Sequence, residues 1–124
     1  MITVYHGTSL DNMELIIKNG FDSNKIGTGW GTTYGNGIYL ALDPNIANLY
    51  SGNTGIVLEV TIKYNPYKLL NSYKPNNKKH IKSLAMLKHK VIEEGYTCFV
   101  SPNNEEIILF DISDIVSIGY YSLF

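Results

Sequence analysis

The sequence predicts an α+β fold. Apolar, strand-like runs open the chain and cluster at its end, helical patterns are scattered between them, and residues 56–63 alternate cleanly between two faces. The 124 residues hold no internal repeat and no long linker, so 1–124 is expected to form a single domain. A chain of this size buries roughly two-thirds of the surface its unfolded form exposes, enough for a core without staples.

The elements follow in order. Residues 2–6 read as a short strand. Asp11-Asn12-Met13-Glu14 has the spacing of a capping box, Leu15, Ile16 and Ile17 follow it, and Gly20 stands where a helix stops. Residues 22–36 read as loop, with five glycines between 27 and 37. Ile38–Leu42 is short and apolar, hence a strand. Asp43-Pro44 pairs an N-cap with a proline at the first helical position, which predicts a helix to about Tyr50 before Gly52. In the alternating run, Ile56, Leu58, Val60 and Ile62 face one way and Val57, Glu59, Thr61 and Lys63 the other. Asn65-Pro66 should break that strand, and a polar stretch runs on to Asn77. Ile81, Leu84, Leu87, Lys88, Val91 and Ile92 recur at helical spacing over 80–94, and Gly95 ends the pattern. Strands are expected at Thr97–Ser101, Glu106–Ile112 and Ile115–Tyr121.

Composition narrows the function classes. Hydrophobic residues make up 44% and charged residues 17%, as in a soluble globular protein, and no apolar run approaches the ~20 residues of a membrane span. Ile2-Thr3-Val4-Tyr5 reads as a strand rather than a secretion leader. Cys98 is the single cysteine, so no internal disulfide forms, and the expected setting is a reducing, cytoplasmic one. The net charge is −1, but residues 63–90 hold eight lysines and no acid, and arginine is absent. Such a segment is either a solvated face or a footprint for an acidic protein or a nucleic acid.

Several nucleotide and catalytic motifs are excluded. Gly27-x-Gly29 is followed by Thr32 where the dinucleotide fingerprint needs glycine, and the loop precedes a strand instead of opening a helix. There is no Gly-Lys-Ser/Thr, no Gly-x-Ser-x-Gly, and no metal-ligand spacing among Cys98, His6, His80 and His89, so no metal is expected.

Another constellation remains. His6 ends the first strand, and Gly7 after it leaves its backbone open to a ligand. Tyr39 and Tyr50 could flank a flat heterocycle. Glu106 opens an apolar strand, where a carboxylate is costly unless solvated or used. Taken singly, each has a plainer reading: a strand-end histidine, tyrosines of the core in a chain with ten of them, and a solvated turn edge at Glu105-Glu106.

Together these segments resemble a known family. Tyr5-His6-Gly7-Thr8, Asn19-Gly20-Phe21, Tyr34-Gly35-Asn36-Gly37-Ile38-Tyr39-Leu40-Ala41, Ala47-Asn48-Leu49-Tyr50 and Glu106-Ile107-Ile108-Leu109-Phe110-Asp111 follow the order of the ADP-ribosyltransferases. The match resembles the diphtheria-toxin and poly(ADP-ribose) polymerase branch, with its His-Tyr-Glu signature, and spans residues 3–112. The resemblance implies a split antiparallel sheet and NAD as substrate. It implies that His6, Gly7, Thr8, Tyr39, Ala47 and Tyr50 line the NAD site. His6 would hold the adenosine ribose, Gly7 would pair with the nicotinamide carboxamide, and Tyr39 and Tyr50 would clamp the nicotinamide ring. Glu106, with His6 and Tyr39, would be catalytic, stabilising the cation that forms as nicotinamide leaves.

Departures from the family pattern refine the expectation. Ala47 stands where polymerase-type members carry a serine that bonds the carboxamide. Asn104 stands where arginine-specific members carry a second acid, which argues against arginine as acceptor. The short Ser101–Glu106 connection and the lack of accessory domains favour a mono-transferase over a polymer builder. The absent arginines disfavour the RNA 2′-phosphotransferases of the same fold. The expected acceptor is a protein, with nucleic acid as the alternative through the lysine segment. Hydrolysis of NAD and a silent binding or inhibitor module are the rival activities. A small stand-alone member of this kind fits a phage-encoded protein acting in a host cytoplasm, or an intracellular toxin.

Overall fold

A computed structural model describes residues 1–25 and 33–124. The strands are β1 (Ile2–His6), β2 (Ile38–Ala41), β3 (Ile56–Ile62), β4 (Pro66–Lys68), β5 (Cys98–Val100), β6 (Glu106–Leu109) and β7 (Ile115–Ser122), and the helices are α1 (Leu10–Asn19), α2 (Pro44–Tyr50) and α3 (Lys78–Glu93). The protein is α+β, with one seven-stranded sheet in the order β4-β5-β6-β2-β1-β3-β7. Neighbours are antiparallel except β4 and β5, which run parallel.

The sheet is split in its middle. β1 pairs with β3 over five positions and β2 with β6 over four, whereas β1 meets β2 at Tyr5↔Ala41 alone. Just past that position the His6 ring reaches across and bonds the Tyr39 carbonyl at 2.9 Å. A side chain thus continues the link where the backbone ladder has ended.

Side-chain alternation sorts the core onto two faces. Val4, Leu40, Leu58, Val60, Ile62, Ile107 and Leu109 point to one face and pack with Met13 of α1. On the other face, Ile108, Phe99 and Phe110 meet Leu84 and Val91 of α3, while Ala41 and Val57 meet Ala47 of α2. Each large side chain buried here is worth about 1.5–3 kcal/mol over leaving it in water. Val57 was expected on the face of Glu59; it does lie opposite Leu58, but α2 covers it, so β3 is buried on both sides there.

Local chemistry explains most boundaries and some departures. Ser9, not Asp11, caps α1 by accepting from the Asn12 N–H, so the helix starts before the expected capping box. Gly20 ends it at φ +77°, a conformation open to glycine, with its N–H on the Ile16 carbonyl. Asp43 and Pro44 open α2 as expected. Asn77 caps α3, which therefore begins at Lys78 rather than at residue 80. Pro66 was expected only to end β3, yet it starts β4. An edge strand tolerates a residue without an N–H, and β4 is the edge. β6 stops at Leu109 instead of Ile112, because the Asp111 side chain accepts from the Ser113 N–H and turns the chain into a 3-10 segment, Ile112–Asp114. Of the expected loop over 22–36, Ser23–Lys25 forms a 3-10 turn, and residues 26–32, with Gly27, Gly29, Trp30 and Gly31, lie outside the described residues.

Candidate active site

The fold brings Tyr50 onto Glu106 and sets His6 across β2 from them. Glu106 pairs with Ala41, and Ala41 with Tyr5, so the start of β6 and the end of β1 flank the end of β2. His6 and Glu106, a hundred positions apart in sequence, are thereby placed on either side of one short strand.

His6 is fixed by its own bond. A carbonyl only accepts, so Nδ1 carries the proton given to Tyr39 O, and Nε2 is left as an acceptor. The Phe21 ring stands edge-on to the imidazole, with centroids 5.0 Å apart. Burial pulls the His6 pKa below the ordinary histidine value, and the carbonyl bond opposes this only partly. The ring is therefore neutral at pH 7.

Gly7 lets α2 close onto β1. A Cβ on Gly7 would sit 1.7 Å from the Ala47 carbonyl oxygen and 3.1 Å from Tyr50 Cβ. Only a residue without a side chain permits this approach, and it fixes where Tyr50 emerges. The Ala47 methyl is buried with Ala41 and Val57, so its backbone, not its side chain, adjoins Gly7. Thr8 is turned toward α1, its Oγ1 accepting from Asn12 Nδ2 at 3.1 Å.

Tyr39 is anchored rather than free. Its hydroxyl donates to Gly35 O at 2.6 Å and accepts from the Tyr34 N–H at 2.9 Å. Desolvation pushes its pKa up to about 12, so the phenol is a fixed wall and not a proton shuttle at neutral pH. Tyr50 is 49% exposed, and its hydroxyl lies 3.5 Å from Glu106 Oε1.

Glu106 is half-buried at the mouth of β6. Thr33 Oγ1 donates to its Oε2 at 3.3 Å, opposite the Tyr50 contact. Burial raises its pKa above the usual carboxylate value, the Thr33 and Tyr50 hydroxyls pull it down, and Glu105 adds a smaller upward push. Its N–H donates to the buried Ser101 Oγ at 3.0 Å, and Ser101 Oγ donates to Asn103 Oδ1 at 2.6 Å. The turn before Glu106 is thus cross-braced, with Asn104 at φ +61°. Thr33 and Ser101 carry no signal in the sequence. Thr33 follows the glycine-rich stretch with no pattern of its own, and its contact with Glu106 spans 73 positions.

Such a carboxylate can accept a bond from a ligand hydroxyl and stabilise positive charge developing beside it. Among the described residues no group of three or more His, Cys, Asp and Glu could hold a metal ion, and no helix is long and apolar enough to cross a membrane. His80 is engaged elsewhere, its Nδ1 accepting from the Lys74 N–H, and burial raises the Cys98 thiol to about 11. A search of curated proteins gave no match. The family comparison is positive: residues 1–106 fit the model of the poly(ADP-ribose) polymerase catalytic domain. That span is most of the chain and reaches from β1 to the carboxylate at the head of β6, and the protein belongs to this family of NAD-consuming ADP-ribosyltransferases.

Proposed function

We propose that the protein is a mono-ADP-ribosyltransferase that moves ADP-ribose from NAD to a macromolecular acceptor and releases nicotinamide. The observation that carries this reading is the half-buried Glu106 carboxylate held between the Thr33 and Tyr50 hydroxyls at the split of the sheet. In it, Glu106 accepts from the 2′-hydroxyl of the nicotinamide ribose. As the C1′–nitrogen bond breaks, its electron pair leaves with nicotinamide, and the carboxylate stabilises the cationic sugar. The acceptor then bonds C1′ and releases its proton. His6 Nε2 is free to accept from the adenosine ribose, and Gly7 offers its backbone to the carboxamide. Tyr39 and Tyr50 form the walls around the nicotinamide ring, and Thr8 and Ala47 complete the lining through their backbone.

Single transfer is favoured by the turn before Glu106. Ser101 and Asn103 brace it internally, and a short closed turn offers little surface for the end of a growing polymer. The half-exposed Tyr50 keeps one alternative open, because water that reaches the same carboxylate makes the enzyme an NAD glycohydrolase. A cytoplasmic site of action fits the lone, buried Cys98.

The test is incubation with labelled NAD and a cell lysate, using parent and Glu106→Gln. Label on a macromolecule with the parent only is the expected result. Free ADP-ribose alone would move the assignment to the hydrolase. Unchanged NAD with the parent would refute both.

A further inference from the structure

The lysine segment has no part in the NAD site, and its charge order is unexplained by folding. No acid occurs from residue 60 to residue 92. Lys74, Lys78, Lys79, Lys82 and Lys90 are exposed, while Lys88 is half-buried, donating to Asn36 O at 3.3 Å and lying 5.6 Å from the Phe110 ring centroid. The dipole of α3 favours acids in its first turn and bases in its last. Lys78 and Lys79 occupy the first turn, which has no acid, and Glu93 and Glu94 close the other end. Only Lys90 stands where helix stability alone would put it.

On α3 the exposed lysines form one stripe. At roughly 100° per residue, positions 78, 79, 82, 86 and 90 fall within about a third of the helix circumference. From Lys78 to Lys90 the stripe is about 18 Å long at 1.5 Å per residue, the axial length of roughly five nucleotides of a duplex strand. Met86, 71% exposed, adds an apolar contact to the stripe.

The N-terminal end of α3 adjoins the Glu106 site. The Asn76 N–H donates to Thr33 O at 2.8 Å, and the same Thr33 gives its hydroxyl to Glu106. Ile81 packs 3.6 Å from where a Cβ on Gly35 would be. The Lys78 end of the stripe is thereby tied to the Glu106 site through Asn76 and Thr33.

Resting on the transferase reading above, we propose that the acceptor is a nucleic-acid strand, which docks its phosphates along the Lys74–Lys90 face and presents a nucleophilic oxygen or nitrogen to the Glu106 site. A long stripe of one sign suits a linear polymer of phosphates better than the compact acidic patch of a folded protein. Lysine also meets phosphates as a point charge and needs no base sequence. In the transfer, the strand's nucleophile bonds C1′, the C1′–nicotinamide bond breaks with its electrons on nicotinamide, and the nucleophile's proton passes to solvent.

The test uses the full chain and labelled single-stranded DNA and RNA oligonucleotides, with fluorescence polarisation as readout. Binding should weaken about 50-fold between about 50 and 200 mM salt if roughly four phosphates are neutralised. The triple variant Lys78→Glu, Lys79→Glu, Lys82→Glu should lose at least about ten-fold in affinity and show a shallower salt slope. Its unfolding temperature should hold or rise, since acids then face the N-terminus of α3. Glu106→Gln should bind the strand like the parent, so docking is read apart from catalysis. With labelled NAD, the strand should take up label from the parent and far less from the triple variant. No binding by the parent at low salt, or equal binding by the triple variant, would overturn the proposal. Binding of polyglutamate in place of oligonucleotides would replace the strand with an acidic protein. Label entering lysate protein only, with oligonucleotides bound but unlabelled, would overturn the strand as acceptor while leaving the transferase intact.

Discussion

The Tyr50 hydroxyl meets Glu106 Oε1 at 3.5 Å, a contact from the last residue of α2 to the first residue of β6. Thr33 completes the pair of hydroxyls on the carboxylate. Both hold the Glu106 pKa down against burial. Removing either, in Tyr50→Phe or Thr33→Val, should raise it further. Activity that needs the ionised carboxylate fails as pH falls through this pKa. The acid limb of the pH–rate profile should therefore move to higher pH in both variants. A profile that stays in place would separate these hydroxyls from the reacting group.

Glu106 should trade stability for rate. Its folded pKa is raised, so between the unfolded and folded pKa values the native state binds more protons, and stability falls as pH rises through that window. Glu106→Gln removes this term. The variant should melt higher than the parent at neutral pH and at the same temperature at low pH. Turnover should drop on the order of 10²–10³-fold, the usual cost of one such electrostatic contact, while NAD affinity changes little. Calorimetry at both pH values with parallel turnover and binding measurements checks this, and Glu105→Gln should be mild in every readout.

His6 carries the opposite sign. Its pKa is lowered by burial, so the native state binds fewer protons than the unfolded chain, and stability is lost as pH falls below the ordinary histidine value. NAD affinity should be flat from neutral to alkaline pH and weaken once the ring protonates, because Nε2 then ceases to accept. His6→Ala should bind NAD about ten-fold more weakly at pH 7, the worth of roughly one hydrogen bond. It should also lose the pH dependence of binding. Calorimetric titration of NAD into both proteins is the measurement.

Gly7→Ala should displace α2. Its Cβ would overlap the Ala47 carbonyl, and overpacking of this kind typically costs about 1–3 kcal/mol. Tyr50 would move with the helix, so NAD binding should fall together with the melting temperature. Gly119→Ala is the control, since nothing lies within 4 Å of its added Cβ. Equal melting temperatures for the two variants would contradict the close packing of α2 on β1.

The sequence alone located most of the elements and pointed to the ends of the candidate site. Periodicity located α3 and the two-faced β3, and Asp43-Pro44 and Gly20 marked helix ends, because caps and side-chain alternation are local physics. The order of the His-Gly, Gly-Ile-Tyr and Glu segments indicated the family that the comparison then established. Contacts between distant segments were decided only in the tertiary structure. Thr33 reached Glu106, and Ser101 braced it, through the pairing of β2 with β6 and the turn at its head, and no local pattern encodes either contact. Pro66 entered a strand because parallel pairing with β5 made it an edge. The Ser9 cap, two residues before Asp11, is by contrast a local contact, its hydroxyl accepting from the Asn12 N–H. The split itself followed from β1 and β2 sharing only Tyr5↔Ala41, which left the His6 ring to bridge to Tyr39 beside the candidate site.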